Sequence, residues 1–143
     1  MKMNKDTKQL EEELRSFSNF ESFYNENRNI ICEISLSKYL QEIISKKSLD
    51  KNEIIKKSEL SEIYAYQILS GVKKSPARSK VLSLIIAMKL SFDEAQDILK
   101  KTGYPTLYAK NPFDCVIIYG LCKKMSVVEI NEILFENGLE TLG

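Results

Sequence analysis

Apolar residues recur three and four apart along nearly the whole chain. The runs they form are punctuated by Ser, Asp or Asn in front and, at several ends, by Gly behind. This spacing places one apolar stripe on an α-helix, and the flanking residues are the ones that satisfy free backbone groups at helix ends. Strands need alternation at a period of two, which is scarce here, and only three prolines interrupt the chain. The pattern therefore predicts an all-α chain of about seven helices in a single body.

The N-terminal part reads as a helix over Asp6–Phe17 with Leu10, Leu14 and Phe17 on one face. A short second helix capped by Ser18 then carries Phe20, Phe23 and Tyr24. These aromatics are expected to pack on the body of the protein, a partner-binding arm being the alternative. Ser35 or Ser37 caps a helix running to about Lys47, with Leu36, Tyr39, Leu40, Ile43 and Ile44 inward. Asp50 caps Lys51–Lys57. Ser61 caps Glu62–Ser70, which stops at Gly71, a residue suited to the left-handed position after a helix. Val72–Pro76 is a basic loop, followed by a helix over Ala77–Lys89. Ser91 caps Phe92–Thr102, which ends at Gly103. Tyr104–Lys110 is a loop whose tyrosines, Tyr104 and Tyr108, are expected to seal it over the core. Asn111 caps a helix that has Pro112 at its first position and runs to about Lys124, and Ser126 caps the last helix, which stops near Gly138.

Shifting the chain by 35 residues lays Leu90–Gly103 over Met125–Gly138 and Val81–Lys89 over Val116–Lys124. Segments 78–103 and 113–138 look like two copies of one helical hairpin, the second covering the first or pairing two protomers. Three domain-level segments follow: an extension over 1–35, a central part over 36–104 and a C-terminal hairpin over 105–143, a possible dimerisation element.

Composition excludes much chemistry. With no histidine there is no imidazole nucleophile partner, no imidazole metal ligand and no ready general base near neutral pH. No phosphate-binding glycine motif occurs, so an enzyme is not expected, nor a metal or cofactor. The three cysteines, Cys32, Cys115 and Cys122, are odd in number and form no C-x-x-C pair. Reduced thiols in a cytoplasm are the expectation, with Cys115 and Cys122, seven apart on one helix face, as core packing. No run of 18 apolar residues exists, so no membrane contact is expected, and the polar opening Met1–Asp6 predicts no secretory leader.

The net charge of +1 conceals a pattern. Residues 1–35 carry five Lys/Arg and seven Asp/Glu, or −2; residues 36–90 carry eleven and five, or +6; residues 91–143 carry five and eight, or −3. A basic centre between acidic ends suits a polyanionic partner, although Lys is also an ordinary surface residue in a chain of this composition.

Two short helices joined by a three- to four-residue turn, preceded by one helix and followed by a longer one, have the organisation of a helix-turn-helix. The stretch Leu49–Pro76 fits, without a gap, the pattern of the XRE family, the phage lambda repressor/Cro-like helix-turn-helix, and the likeness covers about residues 36–100. This resemblance implies a lambda-repressor-like bundle, here with an N-terminal helix and an added C-terminal hairpin. It also implies sequence-specific binding of double-stranded DNA by a bacterial-type transcriptional regulator, acting as a homodimer. By position, Ser61, Glu62, Ile63, Tyr64 and Gln67 would face base edges, and Lys51, Lys73, Lys74 and Arg78 would meet phosphates. The homodimer would form through the C-terminal hairpin, with Val127, Ile130, Ile133, Leu134 and Phe135.

Bottom-up, Ala65, Ile68, Leu69 and Val72 form an apolar stripe with Leu60 ahead of it, which leaves Glu62, Ile63, Tyr66, Gln67 and Ser70 outward. Gln67 suits adenine, Ile63 or Tyr64 a thymine methyl, and Glu62 cytosine. The chain departs from the family at Glu59, where Gly is usual in the turn, at Leu69, where many members have an acid, and in having no Arg or Lys on the second short helix. An exposed Ile-Tyr-Tyr surface equally suits a protein partner, so the competing reading is an interaction adaptor built on a degenerate helix-turn-helix.

Overall fold

The computed structural model describes residues 6–26 and 35–143, and Ser35, Asp50, Ser61, Ser91, Asn111 and Ser126 each cap a helix with the side chain, as the sequence leads one to expect. Cys32 and the side chain of Tyr24 lie outside the described residues. The described residues are all-α, with nine helices and no strand. The nine coincide with the helical segments the sequence marks one by one, two more than the expected total of about seven. Among the described residues no helix is long and apolar enough to cross a membrane. The chain forms two compact units, Met1–Ile34 and Ser35–Gly143, rather than one body.

In the first unit, α1 spans Thr7–Ser16 and α2 spans Phe20–Glu26. Asp6 and Gln9 close α1 reciprocally: Asp6 Oδ1 accepts from the Gln9 N–H at 2.8 Å and Gln9 Oε1 from the Asp6 N–H at 3.0 Å. The cap of α2 is Asn19, which accepts from the Ser22 N–H at 2.9 Å, and not Ser18. The rings of Phe17 and Phe23 meet edge to face at 5.4 Å. Leu14 and Phe20 are exposed, so the predicted apolar faces are only partly covered.

The second unit contains α3 (Leu36–Lys46), α4 (Lys51–Lys57), α5 (Glu62–Ser70), α6 (Arg78–Ala87), α7 (Phe92–Lys101), α8 (Pro112–Cys122) and α9 (Val127–Glu136). Its axis is α6. Every residue from Val81 to Met88 is buried, so this helix is enclosed on all sides, with α4 and α9 packed on it. One cluster runs from Leu36 through Ile54, Ile68, Leu84 and Ile98 to Ile117, Ile130 and Leu142, so residues before and after 104 share a core. Each such leucine or isoleucine removed from water contributes roughly 1.5–3 kcal/mol.

Four of the helix–helix corners share one design. The only non-glycine residues with positive φ among those described are Ser48, Glu59, Lys89 and Lys124, at φ 54°, 62°, 58° and 56°. Each is followed by Leu or Met and then by an N-cap: Leu49-Asp50, Leu60-Ser61, Leu90-Ser91 and Met125-Ser126. The left-handed residue reverses the chain at a cost of about 1 kcal/mol, the apolar residue anchors the corner in the core, and the cap starts the next helix.

The offset of 35 residues is present in three dimensions. Ser91–Glu94 and Ser126–Glu129 form the same reciprocal cap. Gln96 accepts from the Leu107 N–H at 2.7 Å and donates to its carbonyl at 3.0 Å; Asn131 treats Leu142 in the same way at 2.7 and 3.5 Å. The two hairpins face each other: α6 packs on α9 and α7 on α8. Lys89 Nζ donates to the Lys124 carbonyl and Lys124 Nζ to the Lys89 carbonyl, both at 2.9 Å. Such reciprocity marks a two-fold relation between the copies.

Glu94 accepts from Lys47 Nζ at 2.7 Å and from the Ser91 N–H at 2.8 Å. The lysine bond first, then the backbone bond, holds its carboxyl below the ordinary glutamate value of 4.5. A lowered folded-state value stabilises above that pH, and the gain is lost as pH falls through the folded value. Because both side chains are partly in water, Glu94→Gln is expected to cost about 1 kcal/mol or less at pH 7, a difference that shrinks as pH falls through the folded-state value, read from urea unfolding across an acid pH series.

Candidate functional site

The helix α5 stands on the second unit with one side sunk and one side open. Ser61 Oγ accepts from the Tyr64 N–H at 3.1 Å and starts it. Gly71, at φ 92°, ends it, and a side chain there would meet Ser37 Oγ at 3.0 Å. Ala65, Ile68 and Leu69 are fully buried, packed toward α3, where Gln41 donates to the Leu69 carbonyl. In the turn from α4, the buried Ser58 hydroxyl donates to the Ile55 carbonyl at 2.7 Å and accepts from the Leu60 N–H at 3.2 Å. Glu59 occupies the left-handed position at which the resembled family usually has glycine.

The open side carries Glu62, Ile63, Tyr66 and Ser70, with Tyr64 and Gln67 half-buried at its edges. Ile63 is 73% exposed and Tyr66 54%. Lysines rim this face on both flanks. Lys51 Nζ lies 5.2 Å from the centre of the Tyr66 ring; Lys73 and Lys80 lie 5.7 and 5.6 Å from the Tyr64 ring. The aromatic faces hold the ammonium groups in place without removing their charge from water. Lys74 is exposed in the adjoining loop.

Ser61, Glu62, Ile63, Tyr64 and Gln67 thus come together on one helix, with Lys51, Lys73 and Lys74 around it. Arg78 does not belong with them. Its guanidinium is bidentate to Asp114 at 2.9 and 3.1 Å, and it also donates to the Pro105 carbonyl at 2.9 Å and the Thr106 carbonyl at 3.2 Å. With its donors engaged inside its own chain, it clamps the Tyr104–Lys110 loop to α8 and is withdrawn from a phosphate-binding role. Lys80, which sequence reasoning missed, stands on the rim over Tyr64, its ammonium also donating to the Gly143 carbonyl at 2.6 Å and keeping its remaining donors in water. The available signal was its position in the first turn of α6, beyond the Lys73-Lys74 loop.

Three further expectations are corrected. Val72 does not continue the inward stripe: after the reversal at Gly71 it is 69% exposed. Tyr104 does seal its loop, donating to the Pro76 carbonyl, and burial raises its phenol above 10.0. Tyr108, however, is exposed. Cys115 and Cys122 are free thiols on an exposed face, not core packing.

No protein-family model, curated protein or solved structure matches this chain.

Proposed function

We propose that this chain is a sequence-specific DNA-binding protein acting in transcriptional control, with α4 and α5 as a helix-turn-helix of the XRE type and α5 entering the major groove. The observation that carries this reading is the open face of α5, rimmed on both flanks by Lys51, Lys73, Lys74 and Lys80. A helix fits the major groove, and lysines on either side reach the phosphates that border it. Phosphate contacts set position and salt dependence. Base choice falls to Gln67 for adenine, to Ile63 and Tyr64 for thymine methyls, and to Glu62, which accepts from cytosine. The setting is a cytoplasm, and two copies would read a two-fold-symmetric site.

The test is a selection from genomic duplex fragments at about 150 mM salt, followed by anisotropy titrations of the enriched duplex. Lys73→Glu with Lys80→Glu is expected to lower affinity about a hundredfold and to flatten the dependence of log affinity on log salt by about two. Failure to enrich any duplex, or unchanged affinity in the variant, overturns the reading.

The second reading is a protein-binding adaptor. It is favoured by the large apolar exposure of Ile63, Tyr66 and Val72; a separate groove between α4 and the start of α5 is lined by Asn52, Ile55, Lys56, Leu60 and Glu62. It predicts no specific duplex binding and loss of partner binding on Ile63→Asp.

A further inference from the structure

The two copies of the hairpin differ where they face water. On α7 the outward positions Asp93, Asp97 and Lys100 are charged and exposed. At the offset of 35 residues α9 carries Val128, Glu132 and Phe135, also exposed. Spaced four and three apart, these lie on one side of the helix. Val128 is 48% exposed and Phe135 78%. The first copy folds with charge at both of these positions, so the hairpin itself does not require the valine and the phenylalanine. A helix side facing water normally carries charge, and apolar residues held there mark a contact surface.

This face lines a groove. A cavity of about 500 Å³ runs beside α9, lined by Val128, Glu132 and Phe135, by Leu142 of the tail and by Glu59 of the turn between α4 and α5. Of the homodimer seam expected on this hairpin, Val127, Ile130 and Leu134 are spent in the core of their own chain, and Phe135 is left open.

Charge selects the occupant. Residues 125–143 hold four glutamates and no Lys or Arg. The cations nearby are engaged away from the groove or at its ends. Lys57 pairs with Glu53 at 3.6 Å, Lys89 acts on Glu129 in the first turn of α9, and Lys80 donates to the Gly143 carbonyl at 2.6 Å. Glu59 and Glu132 have no ion pair among the described residues. We propose that this groove takes a basic amphipathic helix of a partner protein, with its apolar stripe on Val128 and Phe135 and its Lys or Arg side chains against Glu59 and Glu132. A second copy docked through the same face would set each of these glutamates against its own counterpart. The inference does not depend on what α5 binds.

The test uses the full chain and a displayed library of random peptides about four helical turns long, selected on the wild type and counter-selected on Phe135→Glu. The enriched peptides are expected to carry Lys or Arg around apolar residues spaced three and four apart. In anisotropy titrations of one such peptide, Phe135→Glu is expected to lower affinity at least about tenfold. Glu59→Lys with Glu132→Lys is expected to do the same and to remove the salt dependence. All three residues are exposed, and lysine already holds the left-handed backbone of Glu59 at positions 89 and 124, so circular dichroism and melting temperature should not change. No enrichment, enriched peptides without basic residues, or an affinity unchanged in either variant overturns the proposal. So does wild-type self-association that Phe135→Glu abolishes, since a second copy would then be the occupant.

Discussion

Replacing Asp114 by alanine is expected to destabilise the second unit by about 3 kcal/mol and to lower its melting temperature by roughly 10 °C. The carboxylate is almost wholly buried, accepts both arms of Arg78, and also accepts from the Tyr108 N–H at 3.0 Å. Its removal strands a guanidinium whose side chain is only 23% exposed and frees the loop that Arg78 holds through the Pro105 and Thr106 carbonyls. A surface ion pair would contribute only about 0–1 kcal/mol, so the size of the loss separates the two descriptions. Removing both charges with apolar residues of similar volume should cost less than either single change, because no unpaired buried charge then remains. Chemical denaturation of Asp114→Ala, Arg78→Met and the double variant with Asp114→Leu checks this. A loss below about 1 kcal/mol for Asp114→Ala would show that the clamp is not a structural element.

Gly120→Ala is expected to destabilise by about 1 kcal/mol although it removes a helical glycine. Alanine gains about 0.5–1 kcal/mol over glycine inside a helix. Against this, the added methyl would sit 2.3 Å from Ile130 Cδ1 and 2.5 Å from its Cγ1. Ile130 is fully buried and stiff at its branched carbon, so α8 and α9 must separate or the isoleucine must leave its rotamer, a cost of about 1–3 kcal/mol. The discriminating measurement is a double-variant cycle. With Ile130→Ala in place the clash is gone, and Gly120→Ala should become neutral or stabilising, since its methyl then fills part of the vacated space. Additive losses would contradict this account of the α8–α9 contact.

Local chemistry made most of the fold legible. Ser35, Asp50, Ser61, Ser91, Asn111 and Ser126 all cap the helices the sequence assigns to them, while Asp6, read as the first helical residue, proves to be the cap of α1. Gly71, Gly103 and Gly138 all take left-handed backbone at helix ends. The split of α5 into a buried Ala65–Ile68–Leu69 side and an open Ile63–Tyr66 side also follows from period alone. Long-range partnership was not legible. A basic residue beside a basic loop reads as a phosphate contact until Asp114, 36 residues away, is seen to hold it. Periodicity places Cys115 and Cys122 on one face but cannot say whether another element covers that face. Val72 lies one residue past the point where period ceases to apply. Ser48, Lys89 and Lys124 carry no composition signal for a left-handed turn, and only Glu59 drew attention, through the glycine expected in its place.

The reciprocal Lys89–Lys124 exchange and the crossed packing of α6 on α9 and α7 on α8 have a thermodynamic corollary. Association of two like hairpins is ordinarily second order and weakens on dilution. Here a short tether after Gly103 makes it first order, at an effective concentration in the millimolar range, so the pair closes however scarce the protein is.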